Sequence, residues 1–174
     1  LEQPVDQRAS IDNVEKVSEL LVSAYPQADY ATFTEALSDL AMDKGAGPVV
    51  FDERNANPYF FQDVQSKDEG SPDFYWNACY AAIAAANHAL EAINNAPNPE
   101  DYNAQKGEAL LARAYSHFML VTLFAKVYNP ATAASDLGIP YVTKPEKVVM
   151  EQYERKTVAY VSSWRWIGCP GTKC

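Results

Sequence analysis

Residues 107–128 read GEALLARAYSHFMLVTLFAKVY, and after an irregular stretch comes Gly138-Ile139-Pro140-Tyr141. The first segment reads as a long helix in which Arg113 stands among the apolar Leu110, Ala114 and Leu120. Its start lies just upstream, where Asn98-Pro99-Glu100-Asp101 supplies a cap, a proline at the first helical position and two acids that complement the helix dipole. The same logic opens the preceding helix at Ser71-Pro72-Asp73. That helix is expected to reach about Asn94, with Trp76, Cys79, Tyr80, Ile83, Ala86, Leu90 and Ile93 on its inner face and Asn94-Asn95-Ala96-Pro97 as its stop. Two long antiparallel helices joined by a short turn form an αα-hairpin. The expected fold is all-α, a helical bundle of about five helices built on this hairpin.

Toward the N-terminus, Ile11, Val14, Val17, Ser18, Leu21 and Ala24 recur at three- and four-residue steps, predicting a helix from a Ser10 cap to Tyr25 that Pro26 ends. A second helical segment is expected over Tyr30–Lys44, stopped by Gly45-Ala46-Gly47-Pro48. Val49–Gly70 reads as a long loop with one short helical turn. Asn129–Lys147 reads as a loop with a turn at Gly138-Ile139-Pro140, and a fifth helix is expected to begin between Val148 and Tyr153.

With 174 residues, 48% of them hydrophobic and 21% charged, the chain is expected to make one domain with a core rather than a disordered segment. The formal net charge of -9 opposes nucleic-acid backbones and anionic lipid surfaces, whose sequence-independent attraction comes from lysine and arginine. Cys79, Cys169 and Cys174 form neither a disulfide framework nor a four-ligand zinc set. His88 and His117 stand alone on helices, and Asp39, Asp43, Asp52, Glu53 and Asp63 do not follow a calcium-loop spacing. There is no nucleophile elbow and no phosphate-cradling glycine loop, so no catalytic residue, metal site or cofactor is expected. A glycan hydrolase would require two facing carboxylates, and no motif points to such a pair.

Two constellations remain. Arg113 needs an acceptor if part-buried, and Glu35 or Asp39 can supply it, giving Arg113 and Asp39 a structural role; the alternative is that Arg113 binds a ligand carboxylate. Between Arg54 and Asn77, the aromatics Tyr59, Phe60, Phe61, Phe74, Tyr75 and Trp76 lie among Arg54, Asn55, Asn57, Gln62 and Asn77. Flat rings can stack on sugar faces while amides and a guanidinium bond sugar hydroxyls, which marks Arg54, Asn57, Tyr59, Phe60, Tyr75, Trp76 and Asn77 as candidate glycan-binding residues. The alternative is that these rings pack the loop onto the helices.

Trp76, Tyr80, Ile83, Ala86, Asn87 and Leu90 on one helix, then Gly107-Glu108-Ala109, Arg113-Ala114-Tyr115, Phe118 and Leu120 on the next, resemble the SusD/RagB family. Asp136-Leu137-Gly138-Ile139-Pro140-Tyr141 and Tyr153-Glu154-Arg155-Lys156-Thr157-Val158 extend the resemblance, which covers about residues 1–159. It implies tetratricopeptide-like helix hairpins, although the repeat's own Trp, Leu-Gly, Tyr pattern does not fit at Trp76. The implied function is non-catalytic capture of oligosaccharide, or of peptide in some members, for a SusC-like TonB-dependent outer-membrane transporter. The implied location is the outer membrane at the cell surface, held by a lipid on a cysteine upstream of Leu1. The rival class is a helical protein-protein adaptor without a small ligand.

Residues 160–174 depart from the family pattern, and family members are several times longer than this chain. The expectation is a truncated or frame-altered member with a non-family tail at 160–174, a naturally short paralogue being the alternative.

Overall fold

The computed structural model describes residues 11, 13–45, 47, 50–146 and 152–163. In chain order these form α1 (Val14–Val22), α2 (Ala31–Ala36), α3 (Glu53–Tyr59), α4 (Pro72–Asn95), a 3-10 turn (Pro99–Tyr102), α5 (Asn103–Phe124), β1 (Leu137–Pro140), β2 (Arg155–Thr157) and α6 (Val158–Ser162). The chain folds as two units, one from Leu1–Tyr25 with Ala82–Cys174 and one from Pro26–Ala81.

In the first unit the expected hairpin forms. Ala85, Ala86, Ala89, Leu90 and Ile93 of α4 share one buried cluster with Tyr102 and with Ala109 and Ala112 of α5. Alanines on both helices let the backbones approach closely. Val17 and Leu21 of α1 and Ala24 just after it complete the cluster. Asn13 caps α1 by accepting from the Lys16 N–H at 2.8 Å, while the expected cap Ser10 lies outside the described residues.

Gly138-Ile139-Pro140 is not a turn: it lies in β1, antiparallel to β2, with Leu137 opposite Thr157 and Pro140 opposite Arg155. A Cβ on Gly138 would stand 2.9 Å from the Lys156 carbonyl oxygen, so only glycine permits this approach of the two backbones. The fifth helix also starts later than expected. Its expected start at 148–151 lies outside the described residues, Gln152–Glu154 are not helical, and α6 begins at Val158. There the Val158 and Ala159 N–H groups donate to the carbonyls of Asp136 and Ala133, and the Thr157 hydroxyl accepts from Tyr160, satisfying the first-turn donors. α6 crosses residue 160, where the family pattern was expected to end, and Val161 is fully buried.

In the second unit the expected Tyr30–Lys44 helix is only α2. Asp29 caps it through the Ala31 and Thr32 N–H groups, and i to i-3 bonds at Leu37 and Ser38 close it. Beyond this point Leu40 and Met42 are 89% and 80% exposed, so no burial extends the stripe. The single helical turn expected in the following loop is α3, capped by Asp52, which accepts from the Arg54 N–H. Ser71 caps the first turn of α4, accepting from the Phe74 N–H at 3.1 Å. Cys79, Ile83, Ala86, Leu90 and Ile93 of α4 are buried as expected, and the inner face differs from expectation only at its two aromatic positions. Tyr75 is buried, edge-on to Tyr30 and Phe33, whereas Trp76 and Tyr80 are half-buried and pack on one another at 5.1 Å.

Candidate functional site

α3 is a seven-residue helix with Pro58 inside it, and its C-terminus carries the strain of the second unit. The Phe61 N–H donates to the Pro58 carbonyl and the Gln62 N–H to the Asn57 carbonyl, a closure that places Phe61 in the left-handed region with φ 54°. Glycine normally fills this position, and a bulky side chain there is costly. Phe61 is nonetheless 83% exposed, and its neighbour Phe60 is 56% exposed and edge-on to Tyr59 at 5.0 Å.

Tyr59 and Phe60 line a cavity of about 1000 Å³ formed with α2 and residues 40–45, 47 and 50–52. Asn55 and Phe51 add an amide and a second exposed ring, and Asp43 is held at its rim by its N–H donating to the Tyr59 hydroxyl at 3.2 Å. A concave site of this size with aromatic walls and a few polar groups has the form of a small-ligand site.

The other expected site residues fall elsewhere. The Arg54 guanidinium is committed, with Nε and Nη2 on the Asp52 carboxylate and Nη1 on the Glu69 carbonyl at 2.7 Å, so it fixes α3 rather than offering donors to a ligand. That pairing holds Asp52 below the usual carboxylate range. Asn57 donates to the Asp63 carbonyl at 2.8 Å and fastens the chain after Phe61. Tyr75 has no face for a ligand, because its ring is 1% exposed. Trp76 and Asn77 are on α4 and do not line the cavity; Asn77 is exposed and donates to Asp73 at 3.4 Å. Asn55 belongs to the polar set named around these rings, whereas Phe51 was missed because nothing in its local sequence separates a wall residue from a surface one.

A second polar assembly lies in the first unit. Arg113 Nη1 donates to Asn87 Oδ1 at 2.9 Å and to the Thr143 carbonyl at 3.3 Å, so its acceptors are an amide and a carbonyl rather than Glu35 or Asp39. Asp39 is exposed. Asn87 is buried and donates to the carbonyls of Val142 and Lys144, fastening the segment that follows β1 to the hairpin. His117, also fully buried, accepts from the Val142 N–H, and the Tyr141 ring lies 4.4 Å from its own. Burial lowers the His117 pKa to about 4 and pushes the Tyr141 phenol up. Asn87 and Arg113 lie at similar distances on either side of the turn between α4 and α5, so the antiparallel register of the hairpin was the signal that paired them.

Among the described residues no cluster of three or more His, Cys, Asp or Glu side chains is placed to hold a metal ion. No described helix is long and apolar enough to cross a membrane.

Residues 1–163 match a SusD-like family model described as "Starch-binding associating with outer membrane". The fold is similar to the crystal structure of a SusD superfamily protein from Bacteroides thetaiotaomicron VPI-5482, with a TM-score of 0.65 and 22% identity over 90% of this chain. The match spans 35% of that protein's length. No curated protein matches the chain.

Proposed function

The chain belongs to the SusD-like family of starch-binding proteins associating with the outer membrane, and from that premise we propose that it captures oligosaccharide without catalysing a reaction, in the cavity of the second unit. The observation that carries this reading is the exposed aromatic group at the end of α3. Phe60, in the cavity wall, and Phe61, which follows it in the chain without lining the cavity, stay in solvent, and Phe61 does so in a backbone conformation that disfavours it. Strain of this kind persists where the displayed side chain has a use. Aromatic faces stack on sugar rings, and Asn55 and the Tyr59 hydroxyl lie beside them to bond sugar hydroxyls.

Delivery to a TonB-dependent outer-membrane transporter and attachment by an acyl chain are further parts of the proposal and rest on family membership alone. Arg113, Asn87 and His117 are assigned to the scaffold, since their bonds hold the hairpin to residues 142–144.

Calorimetric titration with maltoheptaose tests the reading. Saturable binding is expected, and Phe51→Ala together with Phe60→Ala, both in the cavity wall, should weaken it at least about tenfold, the scale of one or two lost stacking contacts. Unchanged affinity in the double variant would remove the cavity from the function.

A further inference from the structure

We infer that this cavity selects uncharged over anionic oligosaccharides, an inference that rests on the glycan-capture reading above. Asp29, Glu35, Asp43 and Asp52 line the cavity together with Lys44. Asp52 is offset by its ion pair with Arg54 at 2.7 Å. Asp29 stays ionised as the cap of α2, because the N–H groups of Ala31 and Thr32 and the Thr32 hydroxyl hold its carboxylate. Asp43 accepts from the Gly45 N–H at 2.7 Å. Asp29, Glu35 and Asp43 against Lys44 leave two negative charges in excess around the bound ligand.

Stacking on Phe51, Tyr59 and Phe60 is indifferent to a distant charge, whereas a carboxylate on the sugar meets this surplus directly. At separations of about 7 Å in a wet site, two like charges disfavour an anion by roughly tenfold at low ionic strength. Salt screens most of that effect. The cavity therefore discriminates by repulsion, with no contact required to the rejected group.

The test compares maltoheptaose with the same oligosaccharide oxidised to carboxylates at its C6 positions, titrated by calorimetry in about 20 mM and about 500 mM salt. The neutral ligand should bind roughly tenfold tighter at low salt, with the ratio falling below about threefold at high salt. In Glu35→Gln/Asp43→Asn the low-salt ratio should contract as it does in salt. Both side chains are exposed, and asparagine at 43 keeps an oxygen for the Gly45 N–H, so the fold should survive. Equal low-salt affinities for the two ligands would overturn charge selection and leave glycan capture standing. If neither ligand binds, glycan capture fails and the selection fails with it.

Discussion

The Val142 N–H donates to Nε2 of His117 across 3.1 Å, which leaves the imidazole neutral and places its proton on Nδ1, where it donates to the Arg113 carbonyl at 2.9 Å. One buried ring thus joins the body of α5 to the segment after β1, beside the Asn87 and Arg113 bonds that hold the same segment. The region after the long hairpin is packed as part of the scaffold.

Stability should fall with pH in a window set by His117. Its pKa is about 4 in the folded protein against 6.5 for the free side chain, because burial and the nearby Arg113 charge oppose protonation while the Arg113 carbonyl favours it. Below pH 6.5 the unfolded chain binds the proton first, so the contribution is complete above that pH and is lost as pH drops through about 4. The whole window is worth about 3 kcal/mol. Urea denaturation at stepped pH should show this slope, and His117→Gln should flatten it. Asp29, Asp52 and Asp136 are held below 3.8 and act under the window.

Asn87→Ala should destabilise by about 2–4 kcal/mol, since it leaves Arg113 Nη1 and the buried Val142 carbonyl short of a partner. In a double-mutant cycle with Arg113→Leu the two losses should be less than additive by at least about 1 kcal/mol. Additive losses would show that the bond contributes nothing.

Gly138→Ala should cost about 1–3 kcal/mol, because its Cβ would stand 2.9 Å from a backbone oxygen that can retreat only by parting β1 from β2. Thermal denaturation of this variant against Gly107→Ala, whose Cβ has open space, separates the close approach from a general glycine effect.

The hairpin was legible because its signals are local: Ser71-Pro72-Asp73 and Asn98-Pro99 mark two helix starts that the structure keeps within a few residues. The strand pair was not, since β1 is four residues long and meets its partner only at Arg155–Thr157, a pairing that no local pattern announces. Periodicity placed Cys79, Ile83, Ala86, Leu90 and Ile93 of α4 on its buried face, but at the adjacent aromatics Tyr75 and Trp76 it did not tell which ring faces inward. Tyr59 and Phe60, singled out for their aromatic faces, both line the cavity. Asn55 was named beside the rings, Phe51 joins them only through the folding of the loop, and the commitment of Arg54 to Asp52 and to the Glu69 carbonyl, 15 residues away, is not announced by its local pattern.

Phe61→Gly should raise stability by about 1 kcal/mol, relieving the left-handed strain at φ 54°, while Tyr75→Ala should lower it by about 3–5 kcal/mol by emptying a buried site. Chemical denaturation measures both. If Phe61→Gly is destabilising, the exposed ring is a packing element and not a displayed one.

Two-dimensional NMR of the labelled protein titrated with maltoheptaose tests the central claim, that the cavity beside α3 is where a glycan binds. Saturable shifts should concentrate at Asn55, Tyr59 and Phe60, leaving Asn77 and Asn87 unmoved. Saturable shifts centred on Trp76 and Asn77, or no saturable shift at all, would contradict the account.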